Sequence, residues 1–151
     1  MIRIFFVFIV ALSVQGSVLR AADTAAIEVE SLLQTTSTWD GAPLPAYPEE
    51  QPEITILKIT VAPGAALPWH QHPVTNSGVL LSGELEVTHE DGRVLRLGPW
   101  DAISEVVNTW HYGRNPGDEP AVILVVYSGA VGLPISILKE EDGSEKETGT
   151  P

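Results

Sequence analysis

The sequence predicts an all-β protein, one barrel or sandwich of short strands, and three observations carry that expectation. Beyond the first 22 residues no stretch shows the 3.6-residue apolar period of a long helix. Apolar and polar residues alternate instead over runs of strand length, with Gly, Pro and an Asp-Gly pair between the runs. No segment repeats another, so the 151 residues are expected to make one domain rather than a fused pair.

The elements follow in order. Ile27-Glu28-Val29-Glu30-Ser31-Leu32 alternates like a half-buried strand, and Asp40 to Pro52 is rich in Pro, Gly and acid. Residues 23–52 therefore read as an N-terminal strand and a Pro-rich loop. Glu53 to Ala62 alternates again, with Ile54, Ile56, Ile59 and Val61 as its apolar members. Val79-Leu80-Leu81 is a short apolar strand and Glu84 to Thr88 alternates after Gly83. Glu90-Asp91-Gly92-Arg93 carries the dipeptide of a tight hairpin and leads into Val94 to Leu97. Ala121 to Tyr127 is a continuous apolar run suited to a strand covered on both faces. The barrel is thus expected over residues 53–138. From Lys139 the chain is charged and has no apolar residue, so residues 139–151 are expected to form a disordered acidic tail.

Residues 1–22 have the plan of a secretory signal peptide. A basic start at Arg3 precedes a nearly pure apolar run from Ile4 to Val14, and Ala21-Ala22 offers small residues for cleavage. The run falls short of the ~20 residues that span a bilayer, so no stable membrane insertion is expected after cleavage. The expected location is periplasmic or secreted. Cleavage after Ala22 would remove Arg3 and Arg20 and take the formal charge from −12 to −14. Such an acidic chain lacks the basic patches that nucleic acid or an anionic membrane surface requires. The sequence has no cysteine. Disulfides, thiolate metal sites and a Cys nucleophile are excluded, and any metal must be held by His, carboxylate or amide groups.

Two of the four histidines stand at Trp69-His70-Gln71-His72. Residues two apart on a strand face the same side, so both imidazoles point one way and supply half of a transition-metal site. Five residues separate Gly64 from His70, three separate His72 from Asn76, and six separate Asn76 from Gly83. This resembles the first cupin motif, Gly-x5-His-x-His-x3-4-Glu-x6-Gly, with Asn76 in place of the Glu. The second motif, Gly-x5-Pro-x-Gly-x2-His-x3-Asn, matches by spacing when His111 and Asn115 take its last positions. Asn108 then falls on its inner Gly, Val106 on its Pro and Trp100 on its leading Gly, with Asp101 next to it. Asn tolerates a positive φ, whereas Trp100 and Val106 depart from the motif without such a reason.

The resemblance, over Pro63 to about Tyr127, implies a double-stranded β-helix, or jelly roll, of the small single-domain bacterial cupin type. It also implies His70, His72 and His111 as ligands of one divalent transition metal. Imidazole suits Fe, Mn, Ni, Cu and Zn alike, so the ion is not specified. Asn76 offers a neutral carbonyl oxygen, a weaker donor than carboxylate. Glu105 is the candidate for the missing acid, either as a partner orienting a histidine or as a general base, because even spacing from His111 would put both on one strand face.

Trp69 and Trp110 adjoin the proposed ligands and should face away from them, on the outer layer or at a dimer contact. Trp39 and Tyr47 border the Pro-rich loop and are candidates for a lid. His89, beside the hairpin, is expected to be exposed. These readings point to a metal-dependent, dioxygenase-like enzyme acting on a small molecule, with a non-catalytic small-molecule or metal-binding protein as the alternative. A homodimer is the protein partner to which the family likeness points.

Overall fold

The computed structural model describes residues 27–140 and the backbone of 145–148. The expected signal peptide lies outside the described residues. The chain divides into two units at Glu30. Of the first, residues 27–30 form no strand, with Ile27 and Val29 exposed. The N-terminal strand expected here is not formed. Alternation favours an extended chain, but a strand needs a neighbouring edge to take its hydrogen bonds.

The second unit, from Ser31, is a sandwich of two antiparallel sheets with no helix among the described residues. Its strands are β1 (Pro52–Val61), β2 (His70–Gln71), β3 (Thr75–Ser82), β4 (Leu85–His89), β5 (Val94–Leu97), β6 (Ala102–Ser104), β7 (His111–Arg114), β8 (Ala121–Ala130), β9 (Ser136–Lys139) and β10 (Glu145–Thr148). One sheet has the order β1-β8-β3-β6 and the other β10-β9-β2-β7-β4-β5. The expected jelly roll is thus formed, and the Asp91-Gly92 hairpin joins β4 to β5 as the dipeptide predicts.

The core fills the space between the sheets. Val61, Leu80, Leu85, Val87, Leu97, Ile103, Ile123 and Val125 are buried together, each on the inward face of its strand. Two expectations about these strands need correction. In β1 it is Leu57, Ile59 and Val61 that turn inward, whereas Ile54 and Ile56 are each 60% exposed. The register pairs Leu57 with Val125 and Ile59 with Ile123, and a strand face fixed at one pair is fixed along its length. In β8, burial alternates, and Leu124 is exposed between buried Ile123 and Val125. The apolar run covers one face, and its outer side belongs to the outer face of the sandwich.

The acidic tail is the third difference. Lys139 ends β9, and residues 145–148 form β10 paired with it. A sheet edge offers unpaired N–H and C=O groups, and a polar segment can satisfy these without apolar side chains.

Backbone conformation supports the motif alignment. Asn108 has φ 52° and Trp100 has φ 72°, so both departures from glycine adopt the left-handed conformation that glycine would supply. For Trp100 this is a strained choice, since a side chain there costs roughly 1–2 kcal/mol. Asn115, at the motif's end, is fully buried. Its amide donates to the carbonyls of Val61 (2.9 Å) and Glu119 (2.7 Å) and accepts from the Gly117 N–H (2.9 Å). That residue ties the start of the loop after β7 to the end of β1 and is structural.

Candidate metal centre

Two rows of side chains face each other between the sheets. On the larger sheet His70 pairs with His111, and His111 pairs with His89 across the next ladder. Opposed residues on neighbouring strands share a face. On the smaller sheet Tyr127 pairs with Asn76, and the register Ser77↔Ser104 continues to put Glu105 opposite Asn76. The Glu105 N–H donates to the Asn76 carbonyl at 3.2 Å, as that register requires.

The three histidines meet. Ring centroids are 4.8 Å apart for His70 and His72, 4.4 Å for His70 and His111, and 5.0 Å for His72 and His111. Their candidate ligand atoms all lie within 4.8 Å of one another. Backbone carbonyls fix each ring. The Nδ1–H of His70 donates to Pro68 (2.8 Å), that of His72 to Ile135 (2.6 Å) and that of His111 to Thr109 (2.9 Å). A carbonyl only accepts, so each Nδ1 carries the proton and each Nε2 is left with a lone pair. Orientation of imidazoles by carbonyls in this way is how metal-ligating histidines are held. The Nε2 of His111 is buried and has no hydrogen-bond partner. This donor set fits a divalent transition ion.

Burial keeps the rings neutral. It pushes His72 down to about 3, and the adjacent His70 and His111 act in the same direction. Burial also lowers His70 and His111. Neutral imidazole is the form that binds metal, so the site is ready at neutral pH.

Asn76 lies in the site, fully buried, with neither amide atom hydrogen-bonded. Glu105 lies there too. Its Oε2 is 3.5 Å from the Nε2 of His111 and has no hydrogen-bond partner. Sequence parity puts Glu105 on the inner face, but the route differs, because the chain between β6 and β7 is not one strand. The two residues stand on opposite sheets and meet across the barrel. Glu105 does not orient a histidine through Nδ1, since all three Nδ1 atoms are bound to carbonyls. Burial pushes its carboxyl up to about 7, against the opposing pull of His70 and the Val106 N–H.

The folded metal-free protein therefore keeps a proton on Glu105 that an unfolded Glu loses above about 4.5. This group's contribution to stability is full below about 4.5 and is lost as pH rises to about 7. Glu105→Gln should raise metal-free stability at pH 8 by roughly 2–3 kcal/mol and change little at pH 4.5. Melts in chelator at both pH values check this, and an equal gain at the two would refute it. His72 works oppositely: its contribution is present above 6.5 and is lost as pH falls toward 3, in wild type and variant alike.

Sequence reasoning missed two residues. Tyr127 lines the cavity with its ring 5.3 Å from that of His72, and burial, then Glu105, raises its hydroxyl to about 12. Alternation along Ile123, Val125 and Tyr127 would have placed it inside. His89 is buried rather than exposed. It ends the inward series Leu85, Val87, His89, and the segment around Trp39 covers it. Its Nε2 is 3.6 Å from Asp40 and its Nδ1 2.9 Å from Asp91, with the Trp39 ring edge-on at 5.9 Å. Trp39 thus packs on the core and His89 and does not serve as a lid, while Tyr47 is exposed. Trp69 and Trp110 lie outside, where Lys139 Nζ is 5.9 Å from one ring and 5.5 Å from the other.

The cavity at the histidines is small, about 40 Å³, and otherwise apolar, with Ile59, Leu67, Leu85, Val87, Ile123 and Val125 in its wall. Among the described residues no other group of His, Asp or Glu could hold a metal, and no helix is long and apolar enough to cross a membrane.

Comparison with known proteins agrees with the fold. The Cupin_2 family model, a cupin domain, matches residues 57–127. No curated protein matches the chain in sequence. The DMSP lyase DddQ from Ruegeria pomeroyi superposes with a TM-score of 0.53 at 26% identity, over 69% of this chain and 49% of that one. This chain therefore spans about half the length of that lyase. An oxalate decarboxylase from Bacillus subtilis with Mn(II) centres is similar at 28% identity and TM-score 0.48, over 56% of this chain and 23% of that one. An RmlC-like cupin from Shewanella frigidimarina is similar at 22% identity and TM-score 0.46, over 53% and 69% of the two chains. Two facing antiparallel sheets, histidines at both motif positions and a family match over the same strands lead to one assignment: residues 57–127 form a cupin domain.

Proposed function

We propose that this protein is an exported metal-dependent enzyme that holds one divalent transition ion, Fe, Mn, Ni, Cu or Zn, on His70, His72 and His111 and acts on a small organic molecule. The observation that carries the reading is the set of three Nδ1–H donations to backbone carbonyls, which leaves three imidazole lone pairs in one buried space. Three histidines leave coordination positions open, and an ion there supplies Lewis acidity or a site for O2. The protein's own groups do the rest. The apolar wall excludes water, and the narrow space admits only the reacting end of a substrate. Asn76 presents an unpaired amide that can donate to a bound anion, and Glu105 and Tyr127 are the groups able to take or give a proton.

Dioxygenase-like chemistry is the first form of this reading. The likeness to a lyase at 26% identity, together with the proton-bearing pair Glu105 and Tyr127, favours metal-assisted elimination as the second. The test is turnover by the mature, metal-loaded protein on a panel of small carboxylates, diols and sulfonium compounds, with O2 monitored. Turnover that consumes O2 supports the first form and anaerobic turnover the second. Stoichiometric metal with no turnover of any member would leave the non-catalytic binding protein as the function. Export is tested by expressing the full chain in a bacterium: a periplasmic product beginning near Asp23 supports it, and a cytoplasmic product beginning at Met1 opposes it.

A further inference from the structure

We propose that Glu105 is the anionic ligand of the metal, so that the carboxylate absent at Asn76 is supplied from the neighbouring strand. The inference rests on the three-histidine reading, adds a fourth donor to it and, where the ion is bound, leaves Tyr127 as the group that moves a proton.

Position is the first argument. Asn76 occupies the ligand position of β3, and Glu105 is its cross-strand partner beyond the end of β6, joined by the Glu105 N–H to Asn76 carbonyl bond of 3.2 Å. Side chains directly opposed on antiparallel strands leave the sheet on one face, with Cβ atoms roughly 5 Å apart. A glutamate moved one strand sideways still reaches the same space by its two methylenes.

The second argument is distance. Glu105 Oε2 stands 3.5 Å from His111 Nε2. Two donors each about 2.1 Å from one tetrahedral ion are about 3.4 Å apart. The third is the chemistry of the facing atoms. His111 gives its Nδ1–H to Thr109, so Nε2 presents a lone pair, and Glu105 Oε2 is an acceptor with no donor from the protein. Two such buried atoms facing each other repel unless a proton or a metal ion stands between them, and their 3.5 Å separation is wider than a hydrogen bond but suits two ligands of one ion. Both atoms are enclosed where they stand. Asn76 competes only weakly for this place, since its amide oxygen is uncharged. With Glu105 bound, the ligand set returns to three imidazoles and one anion, with the carboxylate entering from β6 instead of β3.

The experiment titrates Co(II) into the metal-free mature protein and reads affinity by calorimetry and ligand set by visible absorption. Wild type, Glu105→Gln, Glu105→Asp, Asn76→Ala and the double variant Asn76→Glu/Glu105→Gln are compared. Glu105→Gln should weaken Co(II) by more than the roughly 10–100-fold that loss of an outer partner costs, and should change the d–d spectrum. Asn76→Ala should lose less than Glu105→Gln, and the double variant should regain most of the lost affinity because the acid returns from β3. Melting of each metal-free variant reports folding, and Glu105→Asp, which keeps the charge on a shorter stem, serves if the Gln variant does not fold. Wild-type affinity and spectrum in Glu105→Gln would overturn the inference while leaving the three histidines in place. Failure of the wild type to bind Co(II) would overturn the three-histidine reading and this one with it.

Discussion

Replacing His72 by Ala should take the protein from about one bound ion per chain to background by elemental analysis. Its loss removes one of three imidazoles and should weaken binding well beyond the roughly 10–100-fold expected for an outer partner. The position is demanding because His72 is buried at 4% exposure and its Nδ1 is held by Ile135, from the segment between β8 and β9. The substitution also leaves the Ile135 carbonyl without its partner, which adds roughly 1–3 kcal/mol of instability. The measurement therefore compares metal content per folded chain, with His70→Ala alongside. Retention of stoichiometric metal by both variants would remove the histidines from the site.

Gly83→Ala should be the most destabilising small substitution, at about 3–5 kcal/mol, a large part of a typical total of about 5–15. Gly83 has φ 77°, and a Cβ there would come within 2.6 Å of the Pro120 carbonyl oxygen and 2.7 Å of Ala121 Cα. Both are backbone atoms, so no rotamer change relieves the clash. Gly64 separates the two causes. It has φ 72° with nothing within 4 Å of an added Cβ, so Gly64→Ala should show the left-handed penalty alone, roughly 1–2 kcal/mol. Thermal or urea unfolding of the pair checks this, and equal losses at the two positions would mean that the contact with the Pro120–Ala121 backbone costs nothing.

Much of this was legible in the residue order, and the failures have identifiable reasons. Period-2 alternation located β1 and β4, the Asp91-Gly92 pair located β5, and motif spacing grouped His70, His72 and His111. The spacing works because it counts positions along strands and turns of fixed length, which leaves ligand placement little freedom. It also placed Trp100 and Asn108 on glycine positions, and both have the positive φ that those positions require. The Ile27–Leu32 segment shows the limit. Its alternation is as good as that of β1, but alternation does not say whether a partner edge is present. Exposure of Ile54 and Ile56 has the same origin, since the register with β8, and not local hydrophobicity, chose which face turned inward.

The site divides along the same line. By itself the sequence determined the donor types, the two histidine motifs and the absence of a carboxylate at Asn76, because these are matters of identity and spacing. Only the tertiary structure decided how the lone pairs point, that His89 is buried and that Tyr127 joins the site. It also decided that Glu105 meets His111 across the barrel and not along one strand. Those facts depend on which strands from distant parts of the chain lie side by side, and pairing of that kind is fixed by packing two sheets face to face rather than by any local run of residues.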